Sequence, residues 1–291
     1  MPTLHILFVR EHRLDIFEPS PDPLQHHVRE ELLSWIAEEA LGCDYDAAEW
    51  VLLTCVARVY VFPSFPERSP FICPPSSQSR SRSLNPPSLT LTHFPSSTSS
   101  PPTSPALFHL LSLILPLQVT LSLSLDLLNS ALFAPESVNE DLRSGYLQLA
   151  QGTAVLMTES GIEEGKLIER GVLNVRAVQQ VIDTQTLAYK FPFSEFSFPT
   201  DINFVILAEG TKSALFQVRR WELYVICFVV ELSKQTDVTF PLDSPSTSDL
   251  YKPTSDVKLP STDKLEAFRR LLLSAKTGNI EVTDTISEVP A

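Results

Sequence analysis

An α/β fold is what this sequence predicts, and three observations between Ser144 and Gly210 carry the prediction. Ala154 to Met157 is a short apolar run closed by Thr158, Glu159, Ser160 and Gly161, the pattern of a buried strand that ends in a polar loop. Val175, Val178 and Ile182 then recur at helical spacing behind Asn174, a residue able to cap a helix, and Asp183 to Thr186 closes the segment. Asn203 to Ala208 is a second buried-strand run, again ending in an acid and a glycine, Glu209-Gly210. Between the helix and this last strand, Leu187, Tyr189, Phe191 and Phe193 alternate with small or polar residues. Phe196 and Phe198 repeat the alternation, and Ser194-Glu195 offers a turn, so a hairpin is expected. Strand, helix, hairpin and strand, in that order, argue an α/β core.

The remaining elements follow along the chain. Leu4, Ile6 and Phe8 alternate in a strand pattern, and Pro19, Pro21 and Pro23 make a connector, so 1–23 reads as an N-terminal strand and connector. Residues 24–59 read as a helical pair. In its first helix Val28, Leu32, Leu33, Trp35, Ile36 and Ala40 share a face and Glu30, Glu31, Glu38 and Glu39 solvate the other. Asp46 and Glu49 form a capping box for the second, which runs from Ala47 to Val59. From 60 to 105 serine and proline crowd the chain and periodicity vanishes, the pattern of a disordered linker or insertion. Within it Ser79 to Ser83 invites reading as a phosphorylation site, and polar linker is the favoured reading.

The α/β core is expected over 106–217. Leu107 to Leu125 carries no formal charge, but Pro116 breaks it, and Val119, Leu121, Leu123 and Leu125 then alternate with Thr and Ser. A buried helix, a break and a strand are expected there, not a membrane span. Asp126 to Ser144 reads as polar loop. Residues 218–235 contain the apolar run WELYVICFVV, too short to cross a bilayer that needs about twenty apolar residues. In 236–291 a Ser/Thr/Asp/Pro-rich linker, Pro241 to Pro260, leads to an amphipathic helix from Lys264 to Lys276 with Leu265, Phe268, Leu271 and Leu272 apolar.

Composition narrows the function classes. With 291 residues, 43% of them hydrophobic, the chain can bury a sizeable core. A formal net charge of -13 and a pI near 4.9 oppose direct binding to duplex DNA, which needs clustered Lys and Arg, and favour protein partners with basic patches. Cys43, Cys55, Cys73 and Cys227 form no CxxC pair, and His26 and His27 have no further His at metal-binding spacing. A reducing compartment fits the cysteines, and no metal or cofactor site is expected. The sequence has no G-x-S-x-G elbow, H-E-x-x-H helix or dinucleotide fingerprint.

The segments VREELLSWIAEEALGCDYDAAEWVLL, PPSLTLTHFP, LSLDLLN, SGYLQLAQGTAVLMTESGIEEGKLIERGVLNVRAVQ and TLAYKFPFSEFSFPTDINFVILAEG resemble the later half of the mini-chromosome maintenance complex-binding protein family. LYKPTSDVKLPSTDKLEAFRRLLLSAKTG is a weaker echo of it near the end. The resemblance implies a nuclear, non-enzymatic partner of the replicative helicase subunits, acting in DNA replication and sister-chromatid cohesion. It also implies sequence before and after this chain, so a fragment or truncated gene product is expected. Two stretches interrupt the family pattern, residues 60–78 and 218–235. Removing them restores it, and Val59-Tyr60-Val61, Val218-Arg219 and Gln235 can be encoded with splice-site sequences. We expect both to be retained introns translated in frame, the alternative being tolerated surface-loop insertions, which cost little closure entropy.

A fainter resemblance lies beneath the first, to the helicase subunits themselves, which are AAA+ ATPases. Gly42, Asp44, Ala47, Ala48, Val51, Leu52 and Leu53 stand for the helix that precedes their phosphate loop. Val155 to Glu159 stands for the strand ending in Asp-Glu, Val178 to Gln185 for the next helix, Leu187 to Phe198 for a hairpin and Phe204 to Gly210 for the last strand. Two departures weigh against turnover: Thr158 replaces the magnesium-organising Asp, and Glu209 falls near the place of the sensor Asn. A phosphate loop requires G-x-x-x-x-G-K-[ST], so that backbone amides ring the phosphates, Lys meets their charge and a hydroxyl holds magnesium. The nearest stretch, Gly161 to Leu167, is a residue short between its glycines, carries Glu163 and Glu164, puts Leu167 at the hydroxyl position and follows the acid-ended strand. The expectation is therefore a degenerate AAA+ core lacking a Walker A loop, used to bind helicase subunits. No nucleic acid or membrane is engaged, and no residue is assigned a catalytic, cofactor or metal role. The competing readings are a residual ATPase with nucleotide-dependent remodelling activity and a non-functional fragment.

Overall fold

Residues 24–61, 83–95, 104–138, 141–162, 165–211, 213, 215, 238–242 and 250–277 are described by the structure, a computed structural model. The elements are α1 (Leu24–Ala40), α2 (Tyr45–Val56), β1 (Tyr60–Val61), β2 (Ser83–Leu84), β3 (Leu89–Thr92), α3 (Ala106–Ile114) and β4 (Gln118–Ser124). They continue as α4 (Leu125–Ser130), β5 (Glu136–Val138), β6 (Asp141–Arg143), β7 (Thr153–Gly161), α5 (Glu169–Thr184), β8 (Thr186–Lys190), β9 (Glu195–Pro199), β10 (Ile202–Leu207), β11 (Val238–Pro241) and α6 (Thr262–Thr277).

Five strands form a parallel sheet in the order β11-β3-β10-β7-β4. A parallel sheet needs helical crossovers and is buried on both faces, so its strands read as near-continuous apolar runs. Period-two alternation sorts their side chains between two cores. Leu89, Leu91, Ala154, Leu156, Val205 and Leu207 face α1, α2, α3 and α6. Val155, Met157, Phe204 and Ile206 face Val178, Val181 and Ile182 of α5, together with Phe133 and Leu187. A second sheet, β6-β5-β8-β9, joins two strands that precede β7 and α5 in the chain to two that follow them; β8 and β9 are its hairpin, pairing Leu187 with Phe198, Tyr189 with Phe196 and Lys190 with Glu195. The mixed α/β fold is as expected, and α3, the break at Pro116 and β4 appear where the apolar run, its proline and the alternation after it put them.

Several element readings are corrected. The stretch assigned to linker, 60–105, contains β3, which lies between β10 and β11 with all four residues buried. Four residues, Leu-Thr-Leu-Thr, are too few to stand out beside the prolines that precede them. In 236–291, expected to hold only linker and helix, β11 supplies the outer strand next to β3, ending at Pro241 where the linker was expected to begin. Asp126 to Ser144 is not a loop throughout: it holds α4, entered directly from β4 because the Ser124 hydroxyl accepts from the Leu127 amide at 3.1 Å, and the short pair β5 and β6. The cap of α2 is Asp44, whose carboxylate accepts from the Ala47 amide at 2.9 Å, not Asp46. The hairpin turn is centred on Pro192-Phe193, two residues earlier than expected, and is closed by the Phe191 amide donating to the Ser194 carbonyl at 2.9 Å. The strand at Leu4 to Phe8, the Ser79–Ser83 stretch up to Arg82 and the suspected insertion 218–235 lie outside the described residues, as does 62–78 of the other suspected insertion.

Asn174 is the largest correction. It does not cap α5 but sits inside it, 4% exposed, because the helix begins at Glu169. Its amide nitrogen donates to the carbonyls of Leu128 (2.7 Å) and Ala131 (2.8 Å), and its oxygen accepts from the Phe133 amide at 3.2 Å. One side chain thus satisfies the backbone of the turn that ends α4. Gln185 plays a similar part after α5. It adopts the left-handed conformation, φ 50°, and its side chain both donates to the Ile202 carbonyl and accepts from the Ile202 amide, each at 2.9 Å.

Candidate functional site

Two places merit a functional reading: the hairpin of β8 and β9, and the C-terminal ends of the parallel strands. On the hairpin, Leu187, Tyr189, Phe196 and Phe198 project to one face, since paired residues share a side and alternate residues repeat it. Leu187 is 2% exposed and belongs to the core, but the hairpin outruns that core. Phe198, opposite Leu187 on the outer strand, is 50% exposed and Phe196 55%; further along Phe191 is 37% exposed, and Phe193 at the turn is fully exposed. The rings brace one another instead: Tyr189 and Phe198 meet edge-on with centroids 4.7 Å apart, and Phe191 and Phe196 at 5.8 Å. Each such pair contributes about 0.5–1.5 kcal/mol, enough to hold the rings in place without burying them. The charges here cancel, Lys190 standing opposite Glu195 in the register. A neutral, preorganised aromatic surface of this kind is the composition of a protein-binding hot spot and a poor one for solvent contact.

The strand ends are the other candidate, because ligands of open α/β sheets bind beyond the carboxyl ends of their strands. Thr158 and Glu159 sit there on β7, each 5% exposed. The Thr158 hydroxyl donates to Ser160 Oγ at 2.9 Å. Glu159 Oε1 accepts from the Ser213 hydroxyl at 2.5 Å and from the Leu215 amide at 3.3 Å, so Glu159 is a buried residue of β7 and not part of the polar loop expected from the sequence. After β3 the His93 amide donates to Gly210 O and the Phe94 amide to Ala208 O, both at 3.0 Å. The Tyr251 hydroxyl donates to the Pro95 carbonyl at 2.8 Å, and its ring meets Phe94 edge-on. Burial and the nearby Glu209 push the Tyr251 phenol up to about 12, and partial burial raises the Glu209 carboxyl.

These positions also show which stretch joins the first parallel strand to its helix. It is 93–105, His-Phe-Pro-Ser-Ser-Thr-Ser-Ser-Pro-Pro-Thr-Ser-Pro, with neither glycine nor lysine. Gly165 and Lys166 of the near-miss stretch lie elsewhere, past the end of β7, where the Lys166 carbonyl accepts from Asn129 Nδ2 at 3.2 Å and Asn129 Oδ1 accepts from the Ile168 amide at 3.0 Å. Among the described residues no His, Cys, Asp and Glu side chains gather as a metal site, and no helix is long and apolar enough to cross a membrane. The sequence pattern located the hairpin but not its exposed face, since alternation alone does not say which side a core will cover.

Fold and surface together define an α/β protein with a doubly covered parallel sheet, strand ends crossed by its own segments and a protruding aromatic hairpin. The family model described as mini-chromosome maintenance replisome factor matches residues 77–289, and the chain belongs to that family. It is similar to proteins named mini-chromosome maintenance complex-binding protein: 28% identical over 226 residues to that of Salmo salar, covering 72% of this chain and 33% of the relative. For Danio rerio the identity is 26% over 263 residues (90% and 36%), and for Drosophila melanogaster 26% over 245 residues (84% and 35%). The chain therefore spans about a third of the length of these curated relatives.

Proposed function

We propose that this chain is a non-enzymatic docking module for subunits of the mini-chromosome maintenance complex, acting in the nucleus in DNA replication and sister-chromatid cohesion. The exposed aromatic hairpin carries this reading, because a partner gives four phenylalanine rings the burial that the chain's own core does not. The names of the relatives supply the partner, and the family's description as a replisome factor supports the process. The core is a degenerate AAA+ module in this reading. In its favour, the sheet strands, counted in chain order, run 5-1-4-3-2 across the sheet, the order of AAA+ ATPases, while 93–105, at the phosphate-loop position, lacks the glycines and the lysine that loop requires.

The test is co-purification of this chain with recombinant helicase subunits, beside a variant carrying Phe193→Ser and Phe196→Ser. The variant is expected to fold and to bind about tenfold or more weakly, as loss of an aromatic hot spot does. Full-strength binding by the variant overturns the hairpin's role. Binding of ATP by the purified chain at micromolar concentration supports the residual ATPase instead.

A further inference from the structure

β9 is the outer strand of the second sheet, and among the described residues β8 is its one neighbour. An antiparallel pair alternates residues that exchange backbone bonds with residues whose N–H and C=O point away. Bonds at both ends of the hairpin set the phase: the Phe191 amide donates to the Ser194 carbonyl at 2.9 Å and the Thr200 amide to the Gln185 carbonyl at 2.8 Å. Phe196 and Phe198 fall in that phase and bond to β8, so the N–H and C=O of Glu195 and Ser197 face outward, with the carbonyl of Pro199 beyond them. An open edge of this kind is a template for a further strand, and sheets blunt it with bulges, prolines or short length. The β8–β9 register runs without a bulge, all five residues of β9 are exposed, and its proline stands past both outward amides.

We infer that β9 takes a segment of its partner as a further strand. The segment is extended and apolar at alternate positions; it bonds to the outward backbone of Glu195 and Ser197 and lays its apolar side chains beside Phe196 and Phe198. The inference rests on the docking role proposed for the hairpin and names how the partner is held. A second copy of this chain fits the edge less well. Two-fold pairing about Ser197 sets Glu195 against Pro199, which has no N–H to give, and brings together two chains of net charge -13.

Ser197→Pro in the full chain separates backbone pairing from ring contact. The Ser197 amide makes no bond to β8, so proline removes no bond of the sheet and puts its own ring in the path of an added strand. Binding to recombinant helicase subunits is expected to weaken about tenfold or more, with Ser197→Ala at full strength. Slow exchange of the Phe196 and Phe198 amides reports an intact hairpin. Should Ser197→Pro lose it, Glu195→Pro, at the first position of the strand, blocks the other outward amide and reads the same contact. Full-strength binding by the proline variant, while Phe193→Ser with Phe196→Ser binds weakly, overturns strand addition and leaves the docking role standing. Full-strength binding by both overturns both. A dimer of the free chain in sedimentation that Ser197→Pro dissolves assigns the edge to a second copy and also overturns the inference.

Discussion

Replacing Asn174 with alanine removes three hydrogen bonds from a buried position at one stroke. The Leu128 and Ala131 carbonyls lose a donor and the Phe133 amide loses its acceptor, all beside Phe133, whose ring is itself fully buried. A buried donor left without a partner costs about 1–3 kcal/mol, and each lost bond about 1 kcal/mol where water cannot replace it. The sum is about 3 kcal/mol, allowing for partial relaxation of the α4 turn. At about 2–4 °C per kcal/mol for a chain of this size, the midpoint of thermal unfolding falls by about 6–12 °C. Urea denaturation with an unchanged slope is the assay of choice, since it separates lost stability from a change in the unfolded state. Asn174→Asp is the comparator: it keeps the acceptor for Phe133 but turns a carboxylate toward two carbonyls, and it is expected to be no more stable than the alanine variant. A stability within about 0.5 kcal/mol of wild type for Asn174→Ala refutes the reasoning, because surface substitutions behave that way.

Two other outcomes follow from buried groups. Gln185→Ala strips both backbone groups of Ile202 of their partner and is expected to lower stability by about 2–3 kcal/mol. Gln185→Gly, which relieves the left-handed backbone, should be about 1 kcal/mol less harmful in the same denaturation experiment. The Cys55 thiol is pushed up to about 12 by burial, with the Lys276 ammonium working the other way. An acid raised in the folded state binds its proton there after the unfolded chain has released it, so stability falls as pH rises from about 9 toward 12, by up to about 1.4 kcal/mol per pH unit. Tyr251 adds to this fall from about pH 10, whereas Lys276, lowered by burial, opposes it. Denaturation of wild type and Cys55→Ala between pH 8 and 10.5 should show the shallower decline in the variant, and equal slopes contradict the assignment.

Periodicity made the sheet interior legible. β7 and β10 are apolar on both faces, a signature that survives any tertiary context, and α5 shows its buried stripe in Val178 and Ile182. What escaped notice was settled by partners distant in sequence. β3 is a strand because β10 and β11 flank it, and nothing in Leu-Thr-Leu-Thr announces neighbours more than a hundred residues away. Asn174 looked like a cap because caps and buried turn-bracing residues share the same chemistry. Glu159 was visible as an acid near a strand end, but its donors, Ser213 and Leu215, lie 54 and 56 residues on. The family segments located the hairpin, and only the extent of the core showed that its rings are left outside.

The most direct test of the account maps the chain against its partner. Amide hydrogen exchange of the chain alone and in complex with recombinant mini-chromosome maintenance subunits reads every segment at once. The account predicts that exchange slows across Phe191 to Pro199, where the backbone of Glu195 and Ser197 faces away from β8. A complex that forms while exchange over this stretch stays as fast as in the free chain contradicts it.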